Sequence, residues 1–365
     1  MTDLFAPLTF PRGRAAANSL MLAPLTNSQS HADGTLSDDE HRWLTMRGDG
    51  GFGTVMTCAA SVSPGGLGFP GQLGAHDDRH LPGLERLAND LRAAGAVSLV
   101  QLQHAGCRAP EELTGSTPVA PSDHESTGAR AMTTAEVEAV IGDFVAAARR
   151  AEQAGFDGVE LHGAHGYLLC HFLSPTLNTR DDAYGGSLEN RSRILFEILD
   201  GIRSTCGPDF IVGVRLSPER FGMRIDEVRV ITQALIDSGQ VDFMDLSLWD
   251  CFKEPEDLPG SGRSLVEVTT DLARRTDPSG RRVPIGVAGK LHTPADAEAA
   301  LAAGADFVLL GRVAILHHDW PNRLAESPTW APLEVPQPAE HFRAEGVSDT
   351  FLDYLRRSFG ALLAD

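Results

Sequence analysis

The apolar positions of this chain fall in short runs, and most runs are followed by a stretch with helical spacing. Eight runs read as strands: SLMLAPLTN (19–27), GTVMTCAASV (53–62), VSLVQLQHAG (97–106), GVELHG (158–163), IVGVRLSP (211–218), VDFMDLSL (241–248), PIGVAG (284–289) and FVLLGRV (307–313). Most are rich in Val, Leu and Ile, as strands buried on both faces of a parallel sheet should be. Between them LERLANDLRAAG (84–95), TAEVEAVIGDFVAAARRAEQAG (134–155), DEVRVITQALIDSG (226–239) and TPADAEAALAAG (293–304) read as helices. Thr293 with Asp296 predicts an N-cap and its partner, and Pro294 suits the first helical turn. The segments AAGA and QAGFDG, each just ahead of a strand, predict helix ends that close on glycine.

Eight β-then-α units predict an α/β fold, a (β/α)8 TIM barrel. The main rival is a doubly wound sheet. It usually needs fewer strands, and no G-x-G-x-x-G follows the first strand here. Residues 1–365 read as a single domain, with the barrel core at about 19–320 and a tail at 321–365. Within the tail, TFLDYLRRSFGALLAD (350–365) predicts an amphipathic helix, a packing or subunit contact rather than a catalytic part. The longest connections, 63–81, 107–132, 166–187 and 249–262, all follow strands. In a barrel those connections build the catalytic face, so four on one rim point to a lidded pocket.

Composition narrows the partners. The formal net charge of −19 disfavours nucleic acid and anionic membrane, so neither is expected as a partner. The five cysteines (58, 107, 170, 206, 251) are scattered and form no C-x-x-C pair, so neither a disulfide framework nor a zinc ribbon is expected. The N-terminus MTDLFAPLTF lacks the charged region and long apolar run of a signal peptide, and no apolar run is long enough to cross a bilayer. A cytoplasmic protein is expected.

The chemistry-bearing residues cluster at strand ends. Thr26 closes the first strand, Ala59 and Gln101 lie near the ends of the second and third, and His162, His165 and Tyr167 follow the fourth. Arg215 is near the end of the fifth, Gly289 ends the seventh, and Gly311 with Arg312 ends the eighth. A Gln or Arg on such a strand often just satisfies backbone groups, but together these residues ring one mouth. Barrels often hold a phosphate between the loops after strands seven and eight. VAGKLHT and LLGRVAI supply glycine at both points, where a backbone can approach an anion closely, and Arg312 adds a forked cationic donor. A phosphorylated ligand is expected there, either substrate or cofactor.

The stretch LHGAHGYLLCHFLSPTLNTRDDAYGGSLENRSR (161–193) resembles the signature of the Old Yellow Enzyme family of flavin-dependent ene-reductases. APLTN, QLQHAG, VGVRLSP and the paired VAGK and LLGR motifs occur in that family's order, so the resemblance covers essentially the whole chain. It implies a barrel with FMN at the carboxyl ends of its strands and NADPH or NADH as electron donor. By similarity Gly289, Gly311 and Arg312 hold the phosphate. Arg215 lies near the flavin N1 and C2 oxygen, and Gln101 bonds the pyrimidine edge. Pro24, Thr26 and Ala59 lie beside the ring. His162 and His165 hold a substrate oxygen, and Tyr167 protonates the α-carbon after hydride reaches the β-carbon. The implied substrate is an electron-poor alkene or a quinone, and the chain is a possible homo-oligomer.

Other residues of the motif read as structural. His104 and His171 are expected to be core or wall residues, and NTRDDAYGGSLENR is expected to cross-brace a long loop. The family's usual QLxHxGR reads QLQHAGCR, with Cys107 ahead of Arg108, so Arg108 is assigned no role. Thr26 stands where one branch of the family has Cys, which leaves the flavin potential open. Trp249 and Phe252 are open between pocket wall and surface packing. Two alternatives stay on the page. One is a flavin-binding redox sensor without rapid turnover, against which intact His162, His165 and Tyr167 argue. The other is a metal-dependent barrel hydrolase using the two histidines, which lacks an obvious third ligand; no metal site is expected.

Overall fold

The structure is a computed structural model that describes residues 3–274, 276 and 280–364. The barrel strands are β1 (Leu20–Leu22), β2 (Thr54–Met56), β3 (Val97–Gln103), β4 (Gly158–Gly163), β5 (Ile211–Leu216), β6 (Phe243–Ser247), β7 (Ile285–Ala288) and β8 (Phe307–Leu310). All pair in parallel in sequence order, and β1 pairs with β8 through Leu20–Val308, so the sheet closes on itself. Eight parallel strands with helices between them make the expected (β/α)8 barrel.

The helices outside the strands are α1 (Asp38–Asp49), α2 (Leu81–Ala93), α3 (Thr134–Gln153), α4 (Leu188–Thr205), α5 (Ile225–Ser238), α6 (Leu265–Thr270), α7 (Pro294–Ala302) and α8 (Arg312–Leu316). Local sequence sets their starts. Thr293 Oγ1 accepts from Asp296 N and an Asp296 oxygen accepts from Thr293 N, a reciprocal cap with Pro294 in the first turn. Thr133 and Glu136 do the same for α3. Gly95 (φ 84°) and Gly155 (φ 87°) take the left-handed conformation just after α2 and α3, which is why glycine stands there.

The first apolar run, 19–27, yields a strand of only three residues, because the chain leaves the sheet after Leu22 and carries APLTN across the barrel mouth. The second run breaks at Thr57–Ala59 and resumes as a short pairing at Ala60–Ser61.

The barrel interior is filled in layers. Phe10, Met21, Met56, Leu99, Phe243 and Phe307 form a buried apolar plug. Phe243 pairs with Gly213 and Phe307 with Gly286 across neighbouring strands, and each ring lies over its glycine. A Cβ at Gly213 would sit 2.0 Å from Phe243 Cζ. Gly213→Ala is therefore expected to destabilise the fold by about 1–3 kcal/mol, as overpacking does, measured as a lower urea midpoint with the slope unchanged.

The predicted C-terminal helix forms as α9 (Asp349–Ser358). It buries Phe351, Leu352 and Leu355 against the barrel, and Phe351 meets Trp43 of α1 edge-on at 5.0 Å. Arg47, itself buried, lies 3.2 Å over the Trp43 ring and donates to the carbonyls of Ala314 and Glu345. That clamp ties the chain after β8 to α1. Among the described residues no helix is long and apolar enough to cross a membrane.

Candidate active site

The loops after β1, β4, β6, β7 and β8 enclose a cavity of about 320 Å³ at the carboxyl end of the barrel. Pro24, His165, Arg215, Gly289, Gly311 and Arg312 all line it, so six strand-end candidates separated by up to 288 positions share one space. Arg312 opens α8 beside Gly311 and makes no ion pair among the described residues. Gly289 is there for a steric reason: a Cβ would stand 2.9 Å from the backbone of Trp249 and Asp250. The loop 249–262 docks on that glycine, held by Cys251 N on the Gly289 carbonyl and by Lys290 on Asp250 at 2.8 Å.

His162 is the last-but-one residue of β4, and His165 follows in a tight turn. His165 has φ 62°, a left-handed conformation that costs a non-glycine residue of order 1–3 kcal/mol. Two bonds hold it: its N–H donates to Ser217 Oγ at 3.1 Å, and its carbonyl accepts from Arg108 at 2.7 Å. The strain turns the imidazole toward the other ring. His162 Nε2 and His165 Nδ1 stand 3.3 Å apart with the ring planes at 82°. His165 Nε2 meets Ser247 Oγ at 2.7 Å, and that oxygen also accepts from Arg215 at 3.4 Å. Arginine can only donate, so the serine proton is available to His165 Nε2, which favours a hydrogen on Nδ1.

Burial, then the neighbouring His165 and the positive charges of Arg215 and Arg108, hold His162 well below the ordinary histidine range. Burial and then Arg215 do the same to His165. The neutral forms of both rings therefore stabilise the fold above about pH 6.5, and that contribution is lost as pH falls through their lowered values. Tyr167 packs against His162 with ring centroids 5.0 Å apart, and Arg108 lies 4.9 Å over its ring. Burial raises the Tyr167 hydroxyl above its usual range, with Arg108 opposing, so it keeps its proton through neutral pH.

Not every predicted residue lines the cavity. Gln101 points into the barrel, with its amide nitrogen donating to Glu160 at 2.7 Å, which leaves its oxygen and its second N–H to meet a ligand. Ala59 is buried, and its carbonyl accepts from Gln72. Thr26 lies close to the hydroxyl of Tyr354 of α9. His104 is buried and accepts from Gly106 N, and burial lowers it to about 4. His171 is buried beside Cys107. In the long motif, Arg180 bonds Asp182 and the Pro121 carbonyl, and Arg191 pairs with Glu227, so the segment is a brace.

Three features escape a reading of the sequence, and one question it left open, Trp249 against Phe252, is decided by the fold. Arg108, assigned no role there, is the residue that ties the His165 turn and covers Tyr167. Ser247 bridges Arg215 to His165. Trp249 lines the cavity, whereas Phe252 does not. The tail does more than pack: Phe359 lines the cavity and Tyr354 reaches Thr26.

A profile described as the NADH:flavin oxidoreductase / NADH oxidase family matches residues 3–329. The chain belongs to the Old Yellow Enzyme family. It is 36% identical over 334 residues to the probable NADH-dependent flavin oxidoreductase YqiG of Bacillus subtilis (strain 168), with 88% of each chain covered. It is 33% identical over 334 residues to an NADPH dehydrogenase of Geobacillus thermodenitrificans (strain NG80-2), covering 89% of this chain and 94% of that one. The solved Old Yellow Enzyme homologue from Zymomonas mobilis superposes with a TM-score of 0.79 at 29% identity, over 95% of this chain and 99% of that one.

The protein is thus an NAD(P)H-dependent flavin oxidoreductase that uses FMN. The cavity suits that cofactor. FMN carries one phosphate and a flat ring whose pyrimidine edge gains negative charge on reduction. An unpaired guanidinium at Arg312 meets the first need and the Arg215 guanidinium the second. Among the described residues, the group of three metal-capable side chains close enough to share an ion is His317, Asp319 and Glu345, which includes neither His162 nor His165.

Proposed function

We propose that the enzyme reduces electron-poor C=C bonds of enones, nitroalkenes or quinone-like acceptors in a ping-pong cycle. The observation that carries this reading is the pair His162 Nε2 and His165 Nδ1, two neutral ring nitrogens 3.3 Å apart beside the cavity. FMN held there would supply the hydride chemistry that links the nicotinamide to the alkene. Gly289, Gly311 and Arg312 would hold its phosphate, and Arg215, Gln101, Pro24, Thr26 and Ala59 would lie about its ring. The two imidazoles polarise the substrate oxygen and stabilise the charge that develops on it. Tyr167, kept protonated by burial, gives its proton to the α-carbon. The relatives named NADH-dependent and NADPH dehydrogenase support a nicotinamide of either kind.

The purified protein should be yellow. NADPH or NADH should bleach the flavin band and cyclohexenone should restore it; a protein that cannot be loaded with FMN would contradict the reading. Because both histidines are already neutral, the reoxidation rate with cyclohexenone should stay flat as pH falls through about 6.5, where an ordinary histidine titrates. Stopped-flow traces between about pH 5.5 and 9 test this, and an acid limb centred at 6.5 would count against it.

A further inference from the structure

Beneath the cavity the barrel holds a polar layer with an unbalanced charge. Glu160 of β4 and Asp245 of β6 are both fully buried. They come from alternate strands, whose inward side chains share one layer of a barrel. Arg215 of β5 is their one counter-charge among the described residues, with its Nε 3.0 Å from Asp245 Oδ2. Gln101 of β3 donates to Glu160 Oε1 at 2.7 Å and carries no charge. As bare carboxylates, Glu160 Oε2 and Asp245 Oδ1 have no donor, Asp245 Oδ2 has only the ion-pair contact with Arg215 without hydrogen-bond alignment, and all three are sealed from water. Two carboxylates facing one guanidinium would leave a net negative charge in the barrel interior and two like charges in contact. Neither is tolerated at low dielectric when a proton can remove both.

We propose that Glu160 is a neutral acid whose proton is donated to Asp245, making it a positioning residue for Arg215. The single proton supplies the missing donor between the two carboxyls and brings the layer to charge balance. Asp245 then stays ionised against Arg215 and fixes the guanidinium that borders the cavity. Arg215 therefore faces the cofactor as half of a neutral ion pair. The charges acting on the pair are Arg215 and the carboxyls themselves, and burial drives both carboxyls upward. The next ring, His165, lies beyond Arg215 across Ser247 and is neutral.

The effect on the cofactor rests on the FMN reading; the protonation state does not. Infrared spectroscopy of the apoprotein at pH 7.5 should show the C=O stretch of a buried neutral carboxyl that is absent from Glu160→Gln. Comparison with that variant removes other buried carboxyls such as Glu40. No lost band would overturn the proposal even if FMN binds as expected. In the FMN-loaded protein, Glu160→Gln replaces a neutral donor by a neutral donor and should leave the midpoint potential where it is. Asp245→Asn frees the Arg215 charge and should shift the reduction equilibrium at least tenfold toward the reduced form, about 30 mV for a two-electron couple. If both carboxylates were ionised, Glu160→Gln would shift the potential in the same sense as Asp245→Asn, and that result would also overturn the proposal. Failure to load FMN would sink the functional reading and leave the infrared comparison intact.

Discussion

Replacing His162 by Ala should slow reoxidation of the reduced enzyme by an enone about 10²–10³-fold, the usual cost of removing one preorganised oxyanion donor. The bleaching of FMN by NADPH or NADH should be far less affected, because the role assigned to His162 concerns the substrate oxygen. Tyr167→Phe should act on the same half-reaction, by removing the proton source while keeping the ring that packs on His162 and lies under Arg108. Stopped-flow measurement of the two half-reactions separates the cases. Equal loss in both would mean that these residues build the flavin site rather than hold the substrate.

Arg215→Met should be the most destabilising single change at the site. It leaves the Asp245 carboxylate buried without its counter-charge, a situation that costs about 3–5 kcal/mol. The cost should depend on pH in a definite direction. Asp245 already titrates at about 6, above its ordinary 3.8, and losing the cation raises it further. A raised carboxyl favours the folded state when protonated, so the variant should lose most above that further raised value and regain stability as pH falls through it toward 3.8. Urea unfolding of the apoprotein at pH 5 and pH 8 reads the difference. A deficit equal at both values would show that Arg215 contributes packing rather than charge.

The barrel was legible because its strands announce themselves: buried runs such as IVGVRL and FVLL need both faces covered, and the spacing between them leaves room for one helix each. The candidate residues were legible as a ring because every one stands at or near a strand end. What stayed hidden depends on distance across the fold. Ser247 looks like any strand-end serine until β6 lies beside β5 and brings it between Arg215 and His165. Arg108 sits in a departure from the family's usual spacing, and only the folded turn shows its guanidinium on the His165 carbonyl. Glu160 and Asp245 look like ordinary acidic residues on separate strands, and their meeting follows from closure of the barrel rather than from any local pattern. Tyr354 lies on an amphipathic helix and Phe359 just past its end, and the spacing there predicts packing and is silent about what the packing surface encloses.

That last segment makes substrate scope a separable property. The eight strands and the turns that follow them carry the cofactor candidates and the histidine pair, whereas part of the cavity wall arrives on a stretch clamped by Arg47 and Trp43. Grafting a different tail at that clamp would recontour the chamber without touching a barrel strand, so variation among such enzymes can accumulate there at little risk to the redox chemistry.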